Sequence, residues 1–371
     1  MRFPEFTDEW NKYLFDDIAQ YKKGPFGSAL KKEIFVPESN DTIKIYEQQN
    51  AIKKDWKLGR YFISKDYFIN HMQQFVVKAG DIIVSCAGTI GEMYELPQNA
   101  ISGVFNQALM RVRVNTDLID KNIFIEVFSS MINTFSKIYS NGSAIKNIPP
   151  FADLKRTVVF IPMKNEQEKI SKFISLIDER IATQNKIIEK LQSLIKGIIE
   201  TVISSQKPNT FIKNCLECDS STLQESQVAE NGAYPVYGAT GISGYTETAD
   251  VNGEAILITK DGSGVGTVKF ADGEYSYIGT LNRLIAREGY CLKYLYFALQ
   301  GFCFEPYKTG MAIPHIYFKD YGKAKIFCPT IEEQSIIAKS LSVIENKISV
   351  EKQILFCNQL QKSYLLSQML I

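Results

Sequence analysis

The feature that most constrains this chain is a repeat built around long heptad segments. Phe160-Ile-Pro-Met-Lys-Asn-Glu-Gln-Glu-Lys-Ile170 returns as Phe327-Cys-Pro-Thr-Ile-Glu-Glu-Gln-Ser-Ile-Ile337, at a constant offset of 167 residues (329 − 162). After the first copy, Ile170, Ile174, Ile177, Ile181, Gln184, Ile188, Leu191, Ile195, Ile198 and Val202 alternate by four and three. That is a helical seam with one polar member. After the second copy the seam is Ile337, Leu341, Ile344, Ile348, Glu351, Leu355, Asn358, Lys362, Leu365 and Met369. It is more polar in its middle, and Glu351 falls where Gln184 falls in the first copy. About forty residues at 1.5 Å rise make a rod of roughly 60 Å, longer than the cover of a small module needs. The two helices are predicted to pair antiparallel, with Ile174, Ile177, Ile181, Ile188 and Leu191 facing Leu341, Ile344, Ile348 and Leu355.

The repeat extends upstream, more loosely. Gly142-Ser-Ala-Ile-Lys-Asn-Ile148 resembles Gly310-Met-Ala-Ile-Pro-His-Ile316. Gly80-Asp-Ile-Ile-Val-Ser-Cys-Ala-Gly-Thr-Ile-Gly91 resembles Gly253-Glu-Ala-Ile-Leu-Ile-Thr-Lys-Asp-Gly-Ser-Gly-Val-Gly266, each a buried strand entering a glycine-rich turn. Phe105-Asn-Gln-Ala-Leu109 parallels Leu281-Asn-Arg-Leu-Ile285. The expected architecture is α+β: two similar modules in a pseudo-twofold arrangement, 1–164 and 207–331, each followed by a long helix, 165–206 and 332–371. Strand-like runs at Gly80–Ser85 and Leu109–Val114 and a helical stretch near Asn122–Tyr139 mark the first module. In the second, Tyr234-Pro-Val-Tyr-Gly-Ala-Thr-Gly-Ile-Ser-Gly-Tyr245 reads as extended chain and turns. Close tails with divergent modules suit a constant scaffold that carries two different readers.

No catalytic, cofactor-binding or metal-binding set is evident. The histidines, His71 and His315, have no partner at zinc spacing, and Cys215-Leu-Glu-Cys218 has no second pair. Gly262-Ser-Gly-Val-Gly-Thr-Val-Lys269 lacks the spacing of a phosphate loop. Asn147-Ile-Pro-Pro-Phe151 imitates the Asn-Pro-Pro-Phe motif of amino-methyltransferases, but Ile148 interrupts it. A net charge of +1 excludes a protein that coats nucleic acid indiscriminately and leaves room for a local basic face. Candidate phosphate contacts are Lys22, Lys23, Lys31, Lys32, Lys53, Lys54 and Arg60; candidate readers in turn-rich segments are Tyr237, Thr240, Ser243, Tyr245, Lys260 and Ser263. Seven scattered cysteines and the lack of an apolar run near 20 residues predict a reduced, cytoplasmic protein with no membrane role.

Three features together carry a family resemblance: the opening Arg2-Phe-Pro-Glu-Phe6 with Trp10, the twice-used Pro-x-x-x-Glu-Gln-x-x-Ile, and Tyr234-Pro-Val-Tyr-Gly-Ala239. On these the chain resembles, over essentially its whole length, the specificity subunit of type I restriction–modification systems. The resemblance implies two target recognition domains, each reading half of a split double-stranded DNA site, with the helices as an antiparallel spacer. It further implies two methyltransferase subunits docked around that spacer and restriction subunits that join for cleavage. S-adenosylmethionine, ATP and magnesium would belong to those partners, and this chain would be non-catalytic with no cofactor of its own. Two other readings compete: a fused methyltransferase–specificity protein, which would bind S-adenosylmethionine by itself, and a coiled-coil scaffold, which would show no sequence preference on DNA.

Overall fold

A computed structural model describes residues 2–139, 151–310 and 313–369. The chain packs as two units, Met1–Ile181 with Cys357–Ile371, and Ala182–Phe356. The Gly142–Ile148 half of the upstream repeat, and Asn147 to Pro150 of the interrupted methyltransferase-like motif, lie outside the described residues.

In chain order the strands of the first unit are β1 (Asn11–Leu14), β2 (Ala19–Lys23), β3 (Thr42–Tyr46), β4 (Phe62–Ser64), β5 (Val76–Val77), β6 (Ile82–Ser85), β7 (Met93–Glu95), β8 (Gly103–Phe105), β9 (Leu109–Val114) and β10 (Val158–Ile161). Those of the second are β11 (Thr210–Phe211), β12 (Leu216–Ser220), β13 (Tyr234–Gly238), β14 (Gly241–Thr246), β15 (Val251–Asn252), β16 (Ala255–Thr259), β17 (Val268–Ala271), β18 (Glu274–Tyr277), β19 (Leu281–Ala286) and β20 (Lys325–Ile326). The two sets correspond one to one. Sheet β2-β9-β6-β7 recurs as β12-β19-β16-β17, β4-β3-β8-β5 recurs as β14-β13-β18-β15, and the pair β1-β10 recurs as β11-β20. Even the parallel pairing recurs, β3 with β8 and β13 with β18, among otherwise antiparallel neighbours. Modules that match only loosely in sequence therefore share one frame.

The fully buried, mostly apolar strands in the middle of each module explain part of this. In β6, Ile82 and Val84 pack toward the helix Lys121–Tyr139, whereas Ile83 points into the layer shared with the second sheet. Likewise in β16, Ile256 and Ile258 join one core and Ala255 and Leu257 the other. A strand buried on both faces loses the apolar–polar alternation and reads as a continuous run. The first core is closed by aromatic stacking: Phe128 lies 5.2 Å from Phe124, 5.6 Å from Phe15 and 5.7 Å from Tyr21, ring centre to ring centre.

The doubled Glu-Gln motif begins the long helices, Lys164–Ile198 and Ile331–Met369. Its glutamine is buried in both copies and performs the same task. The Gln167 carbonyl accepts from the Asp120 N–H (2.7 Å), and its amide donates to the Leu118 and Pro162 carbonyls (2.8 and 2.9 Å). Gln334 accepts from the Cys291 N–H (3.0 Å) and donates to the Pro329 carbonyl (2.9 Å). Asp120 and Cys291 directly precede the module helices Lys121–Tyr139 and Leu292–Gln300, whose first N–H groups need outside acceptors. Each glutamine thus ties the start of a long helix to the start of a module helix. The glutamates have diverged. Glu166, 1% exposed, receives both arms of the Arg2 guanidinium (2.7 and 2.6 Å) and the Trp10 indole N–H (3.2 Å). Glu333 instead accepts from the Thr330 N–H (3.1 Å) and receives the Thr330 hydroxyl contact of a capping box.

Within each unit the two long helices run antiparallel. In the first, Ile170 and Ile174 share the core with Leu366 and Met369, and Lys362 Nζ reaches Asp178 (2.7 Å) and Glu126 (2.6 Å). In the second, Gln184 Nε2 donates to the Glu351 carbonyl (3.2 Å) and to its carboxylate, while Ile199 and Ile203 pack in one core with Ala338 and Leu341. The polar seam positions that correspond across the repeat therefore meet each other. Lys347 and then Gln184 hold the Glu351 carboxyl below its usual range. Of the predicted pairing residues, Ile174, Ile188, Leu341 and Ile348 are buried, and Ile177, Ile181, Leu191, Ile344 and Leu355 are half-buried.

One part of the seam is corrected. At the end of the first helix the buried residues are Ile199 and Ile203, not Ile198 and Val202, and Val202 is 39% exposed. The segment Ile199–Ser204 is π-helical. Its turn is wider than an α turn, so the buried face moves on from Ile195 by steps of four, to Ile199 and Ile203, where the heptad alternation steps by three to Ile198 and then by four to Val202.

Candidate nucleic-acid interface

At the end of β2 the first module opens a cleft of about 980 Å³. Lys22, Lys23, Phe26, Ser28, Tyr67, His71, Gln74 and Gln107 line it. The cleft exists because Gly24 leaves β2 against the backbone of the turn before β9. Its N–H donates to the Leu109 carbonyl (2.9 Å), and a Cβ at this position would stand 2.0 Å from the Asn106 oxygen. Only glycine permits that approach. Lys22 Nζ donates to Gln74 Oε1 (2.7 Å) and lies 5.1 Å from the Phe75 ring centre. Among the described residues neither Lys22 nor Lys23 pairs with a carboxylate, so the cleft wall keeps its positive charge.

The equivalent edge of the second module has the opposite chemistry. Lys22 stands opposite Arg111 in the β2–β9 register, and Asp219 stands opposite Arg283 in the β12–β19 register. Asp219 neutralises Arg283 across the strands at 2.8 Å. Lys22 cannot do this for Arg111, which turns to the Val76 carbonyl and is held below its ordinary pKa by burial. Beside Asp219, Ser220 Oγ accepts from Lys260 Nζ (3.4 Å) and contacts Asn282 Oδ1 (2.9 Å).

The other basic candidates are not part of the cleft lining. Lys31 and Lys32 are exposed around a 3-10 turn, and Lys53 and Lys54 are exposed after the short helix Gln48–Ile52. Arg60 stacks on Tyr61 (5.3 Å). In the second module the segment read as extended chain and turns is a β-hairpin. Tyr237, Ser243 and Tyr245 lie in β13 and β14, and only Thr240 occupies the exposed turn between them. Tyr237 packs edge-on against Tyr275 at 5.4 Å. Tyr245 exchanges both backbone hydrogen bonds with Ala229 (2.8 and 3.1 Å). Gly244 does not turn the chain but lets it pass Ala229, whose oxygen would be 2.4 Å from a Cβ there. Lys260 and Ser263 follow β16, with Ser263 exposed. Lys269, last residue of the segment with a superficial phosphate-binding look, lies in β17, donates to the Gly238 and Ala239 carbonyls (3.3 and 2.8 Å) and so braces the hairpin turn. Burial lowers its pKa.

His71 leans on Tyr67 (4.7 Å) in the cleft, and His315 bridges Thr309 and Asp261 through its backbone. Cys215 is buried beside Cys328, away from any candidate site. Among the described residues no group of three or more His, Cys, Asp or Glu side chains is assembled to hold a metal. Of the candidates named from sequence, Lys22 and Lys23 line the cleft; Tyr67, His71, Gln74 and Gln107, not among those candidates, line it with them. The one sequence signal that marks Gln107 is the repeated Phe105-Asn-Gln-Ala-Leu109 element.

The frame and the cleft define a class: a duplicated recognition module, each copy followed by a long helix, with its chemistry at the module edges. Two stretches of the chain, residues 7–193 and 216–356, match the type I restriction modification DNA specificity domain. The chain belongs to that family; it is a DNA sequence-specificity subunit of a type I restriction–modification system, a non-catalytic component that works with DNA and the system's other subunits. The fold is similar to that of the type I restriction–modification S subunit from M. genitalium, at 18% identity and a TM-score of 0.59, covering 100% of this chain and 99% of that one. A structure solved for complex assembly and conformational transition of the type I system is also similar, at 14% identity and a TM-score of 0.55, over 97% of this chain and 96% of the other. Among the described residues no helix is long and apolar enough to cross a membrane.

Proposed function

We propose that each module reads one half of a split site on double-stranded DNA, with residues 1–164 and 207–331 as the two target recognition domains. The paired helices set the spacing between the halves and dock two methyltransferase subunits, which restriction subunits join. S-adenosylmethionine, ATP and magnesium act on those partners, in the cytoplasm. One observation carries this reading: the ten-strand frame is duplicated strand for strand, while equivalent edges carry Lys22-Lys23 in one copy and Asp219-Ser220 in the other. A constant frame with changed edges suits two readers of different sequence.

Co-expression with the cognate methyltransferase subunits, followed by sequencing of methylated positions, tests it. The expected result is one motif in two specified parts separated by unspecified bases. A contiguous motif, or methylation without sequence preference, would overturn the reading.

The cleft lysines act on phosphates in this scheme, so their loss weakens binding without changing the sequence preferred. Lys22→Ala with Lys23→Ala is expected to reduce the slope of log K against log salt by about 2, near 0.9 per lost phosphate contact. Titrations of the assembled complex at several salt concentrations measure it, and an unchanged slope would remove both lysines from the interface.

A further inference from the structure

Phe26 is 89% exposed, more than any other large apolar residue among those described. It is also held in place. Pro25 before it is buried, and its fixed φ limits the chain. The Ala29 N–H returns to the Phe26 carbonyl (2.9 Å), the Leu30 N–H to the Gly27 carbonyl (3.3 Å), and the Tyr67 hydroxyl donates to the Ala29 carbonyl (2.8 Å). With Gly24 locked against Asn106, the loop is pinned at both ends. An apolar ring fixed in water gives nothing to folding, because it buries no surface. Its place is the lip of the positive cleft, beside Lys22, Lys23, Gln74 and Gln107.

From this we infer that Phe26 is a stacking wedge: when the first module engages duplex DNA, the ring lies against a base at a step that it partly unstacks. The inference rests on the proposed reading of the modules. Apolar side chains inserted at base steps are an established way to deform a duplex, and unpaired cationic neighbours supply the attraction that offsets unstacking. The cost of unstacking depends on the step, being lowest at pyrimidine–purine steps. Phe26 therefore contributes specificity without a hydrogen bond, toward a flexible step in its half-site. In the second module the position equivalent to Phe26 is Leu223, which is half-buried and not exposed, so only one half of the site is deformed this way.

The test uses the full chain assembled with its methyltransferase subunits and the duplex found by methylation sequencing. 2-Aminopurine is placed in turn at each position of the first module's half-site other than the methylated base. Wild type is expected to raise its fluorescence at one step. Phe26→Ala should abolish that rise and weaken binding about five- to hundredfold, the range of one lost base–aromatic stack. Phe26→Trp should retain both. Phe26→Ala with wild-type affinity and the same fluorescence pattern would overturn the wedge while leaving the two-reader scheme intact. If the wild-type complex shows no preference for the split duplex, the scheme and the wedge both fall.

Discussion

Exchanging residues 209–330 for the corresponding module of another family member is expected to change one half of the methylated sequence and leave the other half as it was. The cut is placed where the structure ties the two ends together. The Asn209 side chain donates to the Cys328 carbonyl and accepts from the Cys328 N–H, each at 2.8 Å, and β11 pairs with β20 directly beside them. A guest module that enters and leaves at this clasp needs no new path for the chain. Two further conditions follow from the packing. Gln334 asks of the guest only a backbone N–H before its module helix, as Cys291 provides here. Glu345 asks for side chains: the Tyr296 hydroxyl donates to it at 2.7 Å and Lys293 pairs with it at 2.8 Å, so these two residues are kept in the guest. Discrimination at each base pair amounts to about 1–3 kcal/mol, so a replaced half-site of several bases shifts preference by orders of magnitude. Methylation sequencing reads the outcome directly, and a change in both halves would refute independent reading.

Phe128→Ala is expected to destabilise the first unit by about 3–5 kcal/mol, the range for a fully buried phenylalanine whose cavity cannot collapse. The ring is inaccessible and sits between Phe124, Phe15 and Tyr21, joining the helix Lys121–Tyr139 to β2 and its sheet. Against a total of roughly 5–15 kcal/mol for a domain, the loss is large. Both tryptophans of the chain, Trp10 and Trp56, lie in the first unit, so intrinsic tryptophan fluorescence during denaturant unfolding follows that unit alone. The midpoint of this signal should fall markedly. β2 carries Lys22, Lys23 and the start of the Phe26 loop, so recognition of the first half-site should weaken as well, and the second half-site should be read as before. An unchanged midpoint would mean that the aromatic stack is not the core of this unit.

What could be read along the chain and what could not divides by physical range. The heptad seams were legible because helical periodicity is local: Ile174, Ile188, Leu341 and Ile348 announce their face through neighbours three and four residues away. The doubled Glu-Gln start was visible as a pattern, though its work was not. Only the folded chain shows that Gln167 and Gln334 clasp module helices, because their partners Asp120 and Cys291 lie over forty residues away in sequence. Tyr234–Tyr245 could be read as extended chain and turns, but not which glycine turns the chain, since glycine marks close approach as well as turning, and at Gly244 the approaching backbone is that of Ala229.

The repeat that organises this protein was thus settled by its sequence in the helices and by its tertiary structure in the modules. Isoleucine and leucine at heptad spacing specify a long seam wherever they occur, and sequence alone determined that there are two. The modules preserve strand order while their side chains diverge, because a sheet is held by backbone hydrogen bonds and by burial and not by any one residue. Their equivalence therefore became visible only once β2 to β9 and β12 to β19 were paired. The same pairing set Lys22 opposite Arg111 and Asp219 opposite Arg283, giving one edge a free positive charge and neutralising the other.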